Sequence, residues 1–195
     1  MSRDYFNTRA AIWDEEVTEK DETKLRSMVS RLDIRPGCDV LDVGTGTGTF
    51  VPFLLEKTGP QGSLTCLDYA ENMLAIARAK KFDGNICYRC ADIEHSGLED
   101  EAFDAVVCYS VFPHFEDKPK ILREIWRILR GDGRLFICHT SSRQAINEIH
   151  MGLPEVRDHL FPENDEVYGM LSAAGFDSIG IADFTDSYLV RAHKS

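Results

Sequence analysis

The sequence is first informative for what it lacks. In its 195 residues no apolar stretch approaches the roughly 20 needed to cross a bilayer, so no membrane-spanning helix is expected. The opening Met1-Ser-Arg-Asp-Tyr-Phe-Asn-Thr-Arg9 has no apolar h-region, which points away from a secretory leader and towards the cytoplasm. No run of clustered Lys and Arg is present, and the formal net charge is −11. Phosphate backbones are held by such clusters, so nucleic acid is not the expected partner. There is no internal repeat, low-complexity tract or Pro/Gly/Ser-rich linker, so residues 1–195 read as one domain. Nothing in the pattern sets an oligomeric state.

The chain has an ordinary globular make-up, 43% hydrophobic and 28% charged, with enough length to bury a core. Six cysteines sit mostly in apolar, strand-like runs, where a reduced thiol acts as a small buried hydrophobe. Cys87 and Cys90 have the CxxC spacing of a metal or redox site. In Asn85-Ile-Cys-Tyr-Arg-Cys90, however, the local pattern is that of a strand, whose positions three apart face opposite ways. No metal site is assigned to them, and buried thiols are expected.

Short apolar runs alternate with helix-like segments, the pattern of βαβ units around a mostly parallel sheet. Leu25, Met28, Val29 and Leu32 give a first helical stripe, broken by Pro36-Gly37. Strands are expected at Cys38 to Val43, Ser63 to Asp68, Ile86 to Cys90, Phe103 to Tyr109 (the most apolar, hence central) and Arg134 to His139, the last after a Gly131-Asp-Gly133 turn. Helices are expected through Phe50 to Leu55, Met73 to Ala77, Asp117 to Arg130, Gln144 to His150 and Glu163 to Ala174, with Gly175 as C-cap. Phe176 to Phe184 and Tyr188 to His193 are joined by so short a turn that they must pair antiparallel.

The most telling segment is Val40-Leu-Asp-Val-Gly-Thr-Gly-Thr-Gly48. A strand ends in Asp42-Val43, and Gly44, Gly46 and Gly48, with Thr45 among them, turn the chain tightly into a helix. Glycines there let a ligand approach the backbone, and a helix start offers free N–H groups. The dinucleotide fingerprint GxGxxG would need a glycine at position 49, which is Thr49. The segment instead resembles motif I of class I S-adenosylmethionine-dependent methyltransferases of the small-molecule type, an acidic residue followed by GxGxG.

That resemblance continues through Asp68-Tyr69, Ala91-Asp92-Ile93 and Leu129-Arg-Gly-Asp-Gly-Arg-Leu135. It implies a Rossmann-like three-layer α/β/α sandwich, with a seven-stranded, mostly parallel sheet ending in an antiparallel hairpin of the sixth and seventh strands. Residues 1–32 form a helical cap and 141–165 a candidate lid. It implies S-adenosylmethionine as cofactor, with Asp68 on the ribose, Tyr69 and Met73 flanking the adenine, Asp92 and Ile93 at the adenine edge, and Asp42, Gly44, Thr45, Gly46, Gly48, Tyr109 and Ser110 completing the site. Taken singly, Asp42 reads equally as a loop-capping carboxylate, Asp68 as a helix N-cap and Asp92 as a loop residue. It is their occurrence at successive strand ends, in register with the glycine loop, that makes a site.

Tyr109, Ser110, His114, His139 and His150 fall after strands four and five, where an acceptor would sit. His114 and His139 are the candidate catalytic residues, as imidazoles able to take a proton. His114 reads also as a loop histidine bonded to backbone. Convergence of His114, His139 and His150 on a metal is not demanded by their spacing. The aromatic segment Tyr5 to Trp13 resembles the helix lying over the cofactor in many small-molecule methyltransferases, and reads also as a hydrophobic edge. Tyr109-Ser-Val-Phe lacks the Asn/Asp-Pro-Pro-aromatic segment of base-methylating DNA enzymes, and no large insertion awaits a protein substrate. The expected activity is therefore methyl transfer to a small or medium-sized acceptor. The alternatives are a nicotinamide-dependent oxidoreductase on a related fold, or an S-adenosylmethionine-binding module without turnover.

Overall fold

The computed structural model describes residues 3–16 and 21–195. Seven strands form one sheet: β1 (Asp39–Val43), β2 (Ser63–Asp68), β3 (Ile86–Cys90), β4 (Phe103–Tyr109), β5 (Leu129–His139), β6 (Asp177–Asp183) and β7 (Tyr188–His193). Their spatial order is β3-β2-β1-β4-β5-β7-β6. Strands β1 to β5 pair in parallel, while β7 slots between β5 and β6 and runs antiparallel to both. The terminal hairpin is thus present, with its second strand rather than its first against the parallel sheet.

Period-two alternation builds the two faces of the core. Val106 and Cys108 point to one side with helices α5 (Lys118–Ile128) and α7 (Asn164–Ala174), while Ala105 and Val107 point to the other with α2 (Glu22–Ser30) and α3 (Val51–Thr58). Buried on both faces, β4 is apolar throughout and central, as its composition requires. Helix α5 shows how local signals agree. The Asp117 side chain caps it by accepting from the Lys120 N–H at 2.9 Å, Pro119 sits in the first turn, and Ile121, Leu122, Ile125 and Ile128 form the buried stripe. Glu163 and Glu166 close a capping box on α7, and Gly175 ends it in the left-handed conformation at φ 102°. The remaining helices are α1 (Arg3–Glu16), α4 (Glu71–Ala79) and α6 (Arg143–Met151).

Two expectations need correction. Cys87 and Cys90 are exposed, not buried, because β3 is the edge strand and only β2 flanks it. All six cysteines are free thiols, and Cys66, Cys108 and Cys138 are the buried ones. Gly131-Asp-Gly133 is an irregularity inside β5, not a turn before it. Asp132 sits at φ 65°, and the register against β4 shifts between Phe103 and Ala105. Lys194 holds this bulge: its N–H donates to Gly133 O, its carbonyl accepts from Asp132 N, and its ammonium donates to Leu129 O at 2.6 Å.

Candidate active site

The order of strands reverses between β1 and β4, and in an open sheet of this kind the crevice beyond their carboxyl ends is where a ligand binds. A cavity of about 470 Å³ opens there. Among the described residues it is lined by Asp42, Gly44, Thr45, Gly46, Asp68, Tyr69, Met73, Asp92, Ile93, Tyr109, Ser110, His114, His139 and His150. Of the residues picked out as cofactor-binding, Gly48 alone lies outside this lining. A Cβ on Gly48 would meet Phe82 at 2.9 Å and Ala77 at 3.3 Å, so its glycine serves close packing behind the loop.

Backbone and carboxylates hold the glycine loop together. Gly44 N–H and Thr45 N–H both donate to Leu67 O, at 2.8 and 3.1 Å, tying the turn to the end of β2. Asp42 accepts from the Thr45 hydroxyl at 2.7 Å. Burial pushes its carboxyl up to about 7 against that bond, with the nearby Asp68 charge adding to the rise. Asp68 bridges two elements: Oδ2 accepts from Gly46 N–H and Oδ1 from Ala70 N–H, both at 2.8 Å. It is not the N-cap of α4, which is Ala70 without a side-chain cap bond; Asp68 instead ties the glycine loop to the turn that leads into α4 while lining the cavity. Burial raises its pKa, and those backbone bonds oppose the rise. Asp92 caps the single 3-10 turn after β3, accepting from Glu94 N–H at 3.0 Å.

Helix α1 covers this half of the cavity. Asn7 Oδ1 accepts from Asn72 N–H at the start of α4, the Thr47 hydroxyl donates to Asp14, and Phe6 makes edge contacts with Trp13, Tyr69 and His114. The aromatic segment is thus both a packed edge and a wall of the site. Arg9 on this helix also lines the cavity with its guanidinium over the Tyr5 ring. Sequence reasoning passed it by, since one Arg in a polar helical stretch carries no signal.

The far half is built by the ends of β4 and β5 and by the segment after them. Tyr109 stacks on Phe50 (4.4 Å, 18°), and its hydroxyl shares a hydrogen bond with Thr140. Ser110 occupies φ 52°, a strained conformation for a non-glycine residue and one found at functional sites. His114 lies on the 3-10 turn Phe112–His114, half-buried, with an Nδ1 that is sealed from solvent and has no hydrogen-bond partner. The His150 ring lies 4.9 Å away and the His159 ring 5.5 Å away. Spacing gave no hint of His159. His150 Nδ1 contacts His159 O at 2.6 Å; a carbonyl only accepts, so that nitrogen carries the proton. No group of three His, Cys, Asp or Glu with metal-binding geometry exists among the described residues.

Burial holds His114 well below the ordinary imidazole range, with the neighbouring imidazoles adding to it, and pushes His139 down to about 3. The sign follows from linkage. Unfolded imidazole takes up its proton near pH 6.5 and folded His139 does not, so its contribution is full above 6.5 and is lost as pH falls towards 3. Asp42 has the opposite sign, since its raised carboxyl favours the folded state at low pH and that gain is lost as pH rises through about 7. The two offset one another in mild acid. His139→Gln removes only the loss, so between pH 7 and pH 5 the variant should gain about 2 kcal/mol relative to the parent. Urea unfolding of both proteins at the two pH values measures this, and equal acid shifts would refute it.

An open sheet reversing at β1/β4, a glycine turn at the switch point and a buried carboxylate on the next strand define a Rossmann-like nucleotide-cofactor enzyme fold. Residues 41–137 match the family described as "Methyltransferase domain", and the chain belongs to the class I S-adenosylmethionine-dependent methyltransferases. It is 26% identical to a malonyl-[acyl-carrier protein] O-methyltransferase of Bacillus anthracis over 84% of the chain, spanning 61% of that relative's length. It is 27% identical to a ubiquinone/menaquinone biosynthesis C-methyltransferase of Shewanella sediminis, over 87% of the chain and 78% of the relative. A methyltransferase structure from Aquifex aeolicus shares the fold at TM-score 0.75 and 19% identity, with both chains fully covered. Membership of this family removes the nicotinamide alternative, in keeping with Thr49 where the dinucleotide fingerprint needs glycine.

S-adenosylmethionine is the methyl donor of this family, and the cavity passes a test of fit for it. A Cβ on Gly46 would find no atom nearer than Gly44 O at 4.0 Å, so the loop leaves open space where the backbone faces the cavity. The Asp68 carboxylate stands beside that space, and the volume is that of a small-molecule site.

Proposed function

We propose that the protein transfers the methyl group of S-adenosylmethionine to a small or medium-sized acceptor and releases S-adenosylhomocysteine. The observation that carries this reading is a single cavity. It runs from the glycine loop and Asp68 at one end to His114 and His139 at the other. In it Gly44, Thr45 and Gly46 offer backbone to the cofactor, Asp68 takes the ribose hydroxyls, and Tyr69 and Met73 flank the adenine, with Asp92 and Ile93 at its edge. Arg9 pairs with the amino-acid carboxylate, and Asp42, Tyr109 and Ser110 shape the floor, while Gly48 acts by packing. When bound, the sulfonium would supply an electrophilic methyl carbon with the thioether sulfur as its leaving group.

The chain's own contribution is alignment, exclusion of water and proton removal. Nδ1 of His114 is sealed, so Nε2 is the nitrogen available to the cavity. Kept neutral by burial, it can take the proton that the acceptor loses as its electron density moves into the new bond. His139 lies beside it at the end of β5 as a second neutral imidazole. Of the expected 1–32 cap, helix α1 (Arg3–Glu16) covers the cofactor half, residues 1–2 and 17–20 lying outside the described residues, and residues 141–165 serve as the lid. Arg143 anchors that lid to Asp183 of β6, and within the lid Arg143 bonds Glu163 while Asn147 makes paired bonds to the Phe161 backbone. Free thiols throughout support a reducing, cytoplasmic site of action. Among the described residues no helix is long and apolar enough to cross a membrane.

The test is release of S-adenosylhomocysteine from S-adenosylmethionine across a panel of neutral, anionic and cationic small acceptors. His114→Gln should lower the turnover number on the order of 100-fold, with cofactor affinity retained. Tight cofactor binding with no turnover on any acceptor would sink the enzymatic reading in favour of a binding module.

A further inference from the structure

The charges around the cavity are lopsided. Five carboxylates line it (Asp42, Asp68, Asp92, Glu94 and Glu116), and Arg9 is the one Arg or Lys among the described lining residues. Arg9 lies on α1, over the half assigned to the cofactor, so the far half has no cation to offer an anion. An acceptor bearing a carboxylate or phosphate would give up its hydration there without a partner, beside charges of its own sign. The chain's net charge of −11 adds to that repulsion at longer range.

What the far half does offer is apolar. Phe115, Ile146 and Val156 are buried walls, while Ile149 and Leu153 line the cavity and are yet 50% and 42% exposed. An exposed large aliphatic side chain that also lines a cavity forms a greasy lip. Met151 and Leu160 on the same lid segment, exposed at 58% and 40%, carry the apolar surface outward. Besides Tyr109, Ser110 and the solvent-exposed Glu116, the polar groups among these walls are the imidazoles of His114, His139 and His150.

We propose that this half of the cavity receives an uncharged acceptor with an apolar body, its protic group directed at His114 and its tail leaving past Ile149 and Leu153. This rests on the methyl-transfer reading above and narrows its substrate class. Acceptors with a free carboxylate, including the malonyl type that the name of one relative suggests, are excluded by it. The acceptor's X–H bond breaks as X–CH₃ forms, and its proton goes to the imidazole, so no oxidant or further reactant is required. Neutral imidazoles suit such a ligand because they exchange hydrogen bonds without stranding a charge in the apolar surround.

The experiment is calorimetric titration of the protein saturated with S-adenosylhomocysteine, using 4-hexylphenol, hexanoate and hexylammonium at neutral pH. We expect 4-hexylphenol to bind at least about tenfold more tightly than either ion. The double variant Ile149→Ser/Leu153→Ser should weaken it about fivefold or more, with S-adenosylhomocysteine affinity unchanged as proof of an intact fold. No binding of 4-hexylphenol, equal or tighter binding of either ion, or indifference to the double variant would overturn the acceptor class. Failure of S-adenosylhomocysteine to bind would instead overturn the cofactor reading, and the same titrations distinguish the two.

Discussion

Asp68→Ala should weaken S-adenosylhomocysteine binding by at least two orders of magnitude while leaving a folded protein. On the proposed reading the carboxylate both holds the loop and takes the ribose hydroxyls, and alanine removes both. Its oxygens each accept one backbone N–H at 2.8 Å, from Gly46 in the glycine loop and from Ala70 at the start of α4. Through them it fixes the loop's position against the helix that carries Met73. Its remaining lone pairs face the cavity, where ribose hydroxyls would donate to them. A hydrogen bond to a charged group contributes about 1.5–3 kcal/mol, so loss of two ribose bonds amounts to roughly 3–6 kcal/mol of affinity, a factor of a hundred or more. Asp68→Asn keeps the shape and one acceptor oxygen but no charge, and should fall between, nearer a tenfold loss. Calorimetry with S-adenosylhomocysteine measures all three proteins. An alanine variant binding within threefold of the parent would show that the ribose is held elsewhere.

That residue also shows what a sequence can and cannot tell. Asp68 is legible because three independent signals coincide: the end of an apolar run, a helix start two residues on, and a glycine loop one strand earlier. The fold was legible for the same kind of reason. Alternation of period two and stripes of period 3.6 are local, so the strand Ser63–Asp68 and the buried face of α5 can be read directly. What was not legible depends on neighbours far away in the chain. Cys87 and Cys90 look apolar enough to be buried, but their exposure depends on β3 having no strand beyond it. Gly131-Asp-Gly133 has the composition of a turn, and only the return of Lys194 makes it a bulge. Gly48 belongs to the motif as written yet packs on Phe82, over thirty residues on. Arg9 reaches the cavity, and His159 the ring of His114, by tertiary placement alone. An isolated Arg or His is common on any surface, and no spacing marks these two.

The glycine loop separates stability from binding in a way that single substitutions can test. Gly44→Ala should destabilise the protein by about 2–5 kcal/mol, for two additive reasons. The position holds φ 71°, where a Cβ costs roughly 1–2 kcal/mol through clash with its own backbone. That Cβ would also lie 2.4 Å from Val111 Cγ2 and 2.8 Å from Val111 Cβ, contacts that force the β4 loop outward, and overpacking of this kind adds about 1–3 kcal/mol. In a chain of this length such a loss lowers Tm by about 4–20 °C. Gly131→Ala is the control, since Gly131 has no atom within 4 Å of a new Cβ and no positive φ, and it should be close to neutral. Adding Val111→Ala to Gly44→Ala removes the 2.4 Å contact with Cγ2 but leaves the 2.8 Å contact with Cβ and the backbone strain, so it should restore only part of the packing loss. Gly46→Ala differs in kind. Its φ of 57° carries similar strain, but its Cβ meets nothing nearer than 4.0 Å, and Gly46 lines the cavity in which the cofactor is proposed to bind. It should therefore lose no more than the strain in stability, about 1–2 kcal/mol, and far more in cofactor affinity. Thermal unfolding paired with S-adenosylhomocysteine titration separates the two effects. If Gly44→Ala proved as mild as Gly131→Ala, the close approach of loop and β4 would be wrong. If Gly46→Ala bound the cofactor as the parent does, the space beside Asp68 would have some other occupant. Either result would reach the central claim, because this turn is where a short-range pattern in the sequence becomes a surface complementary to a cofactor.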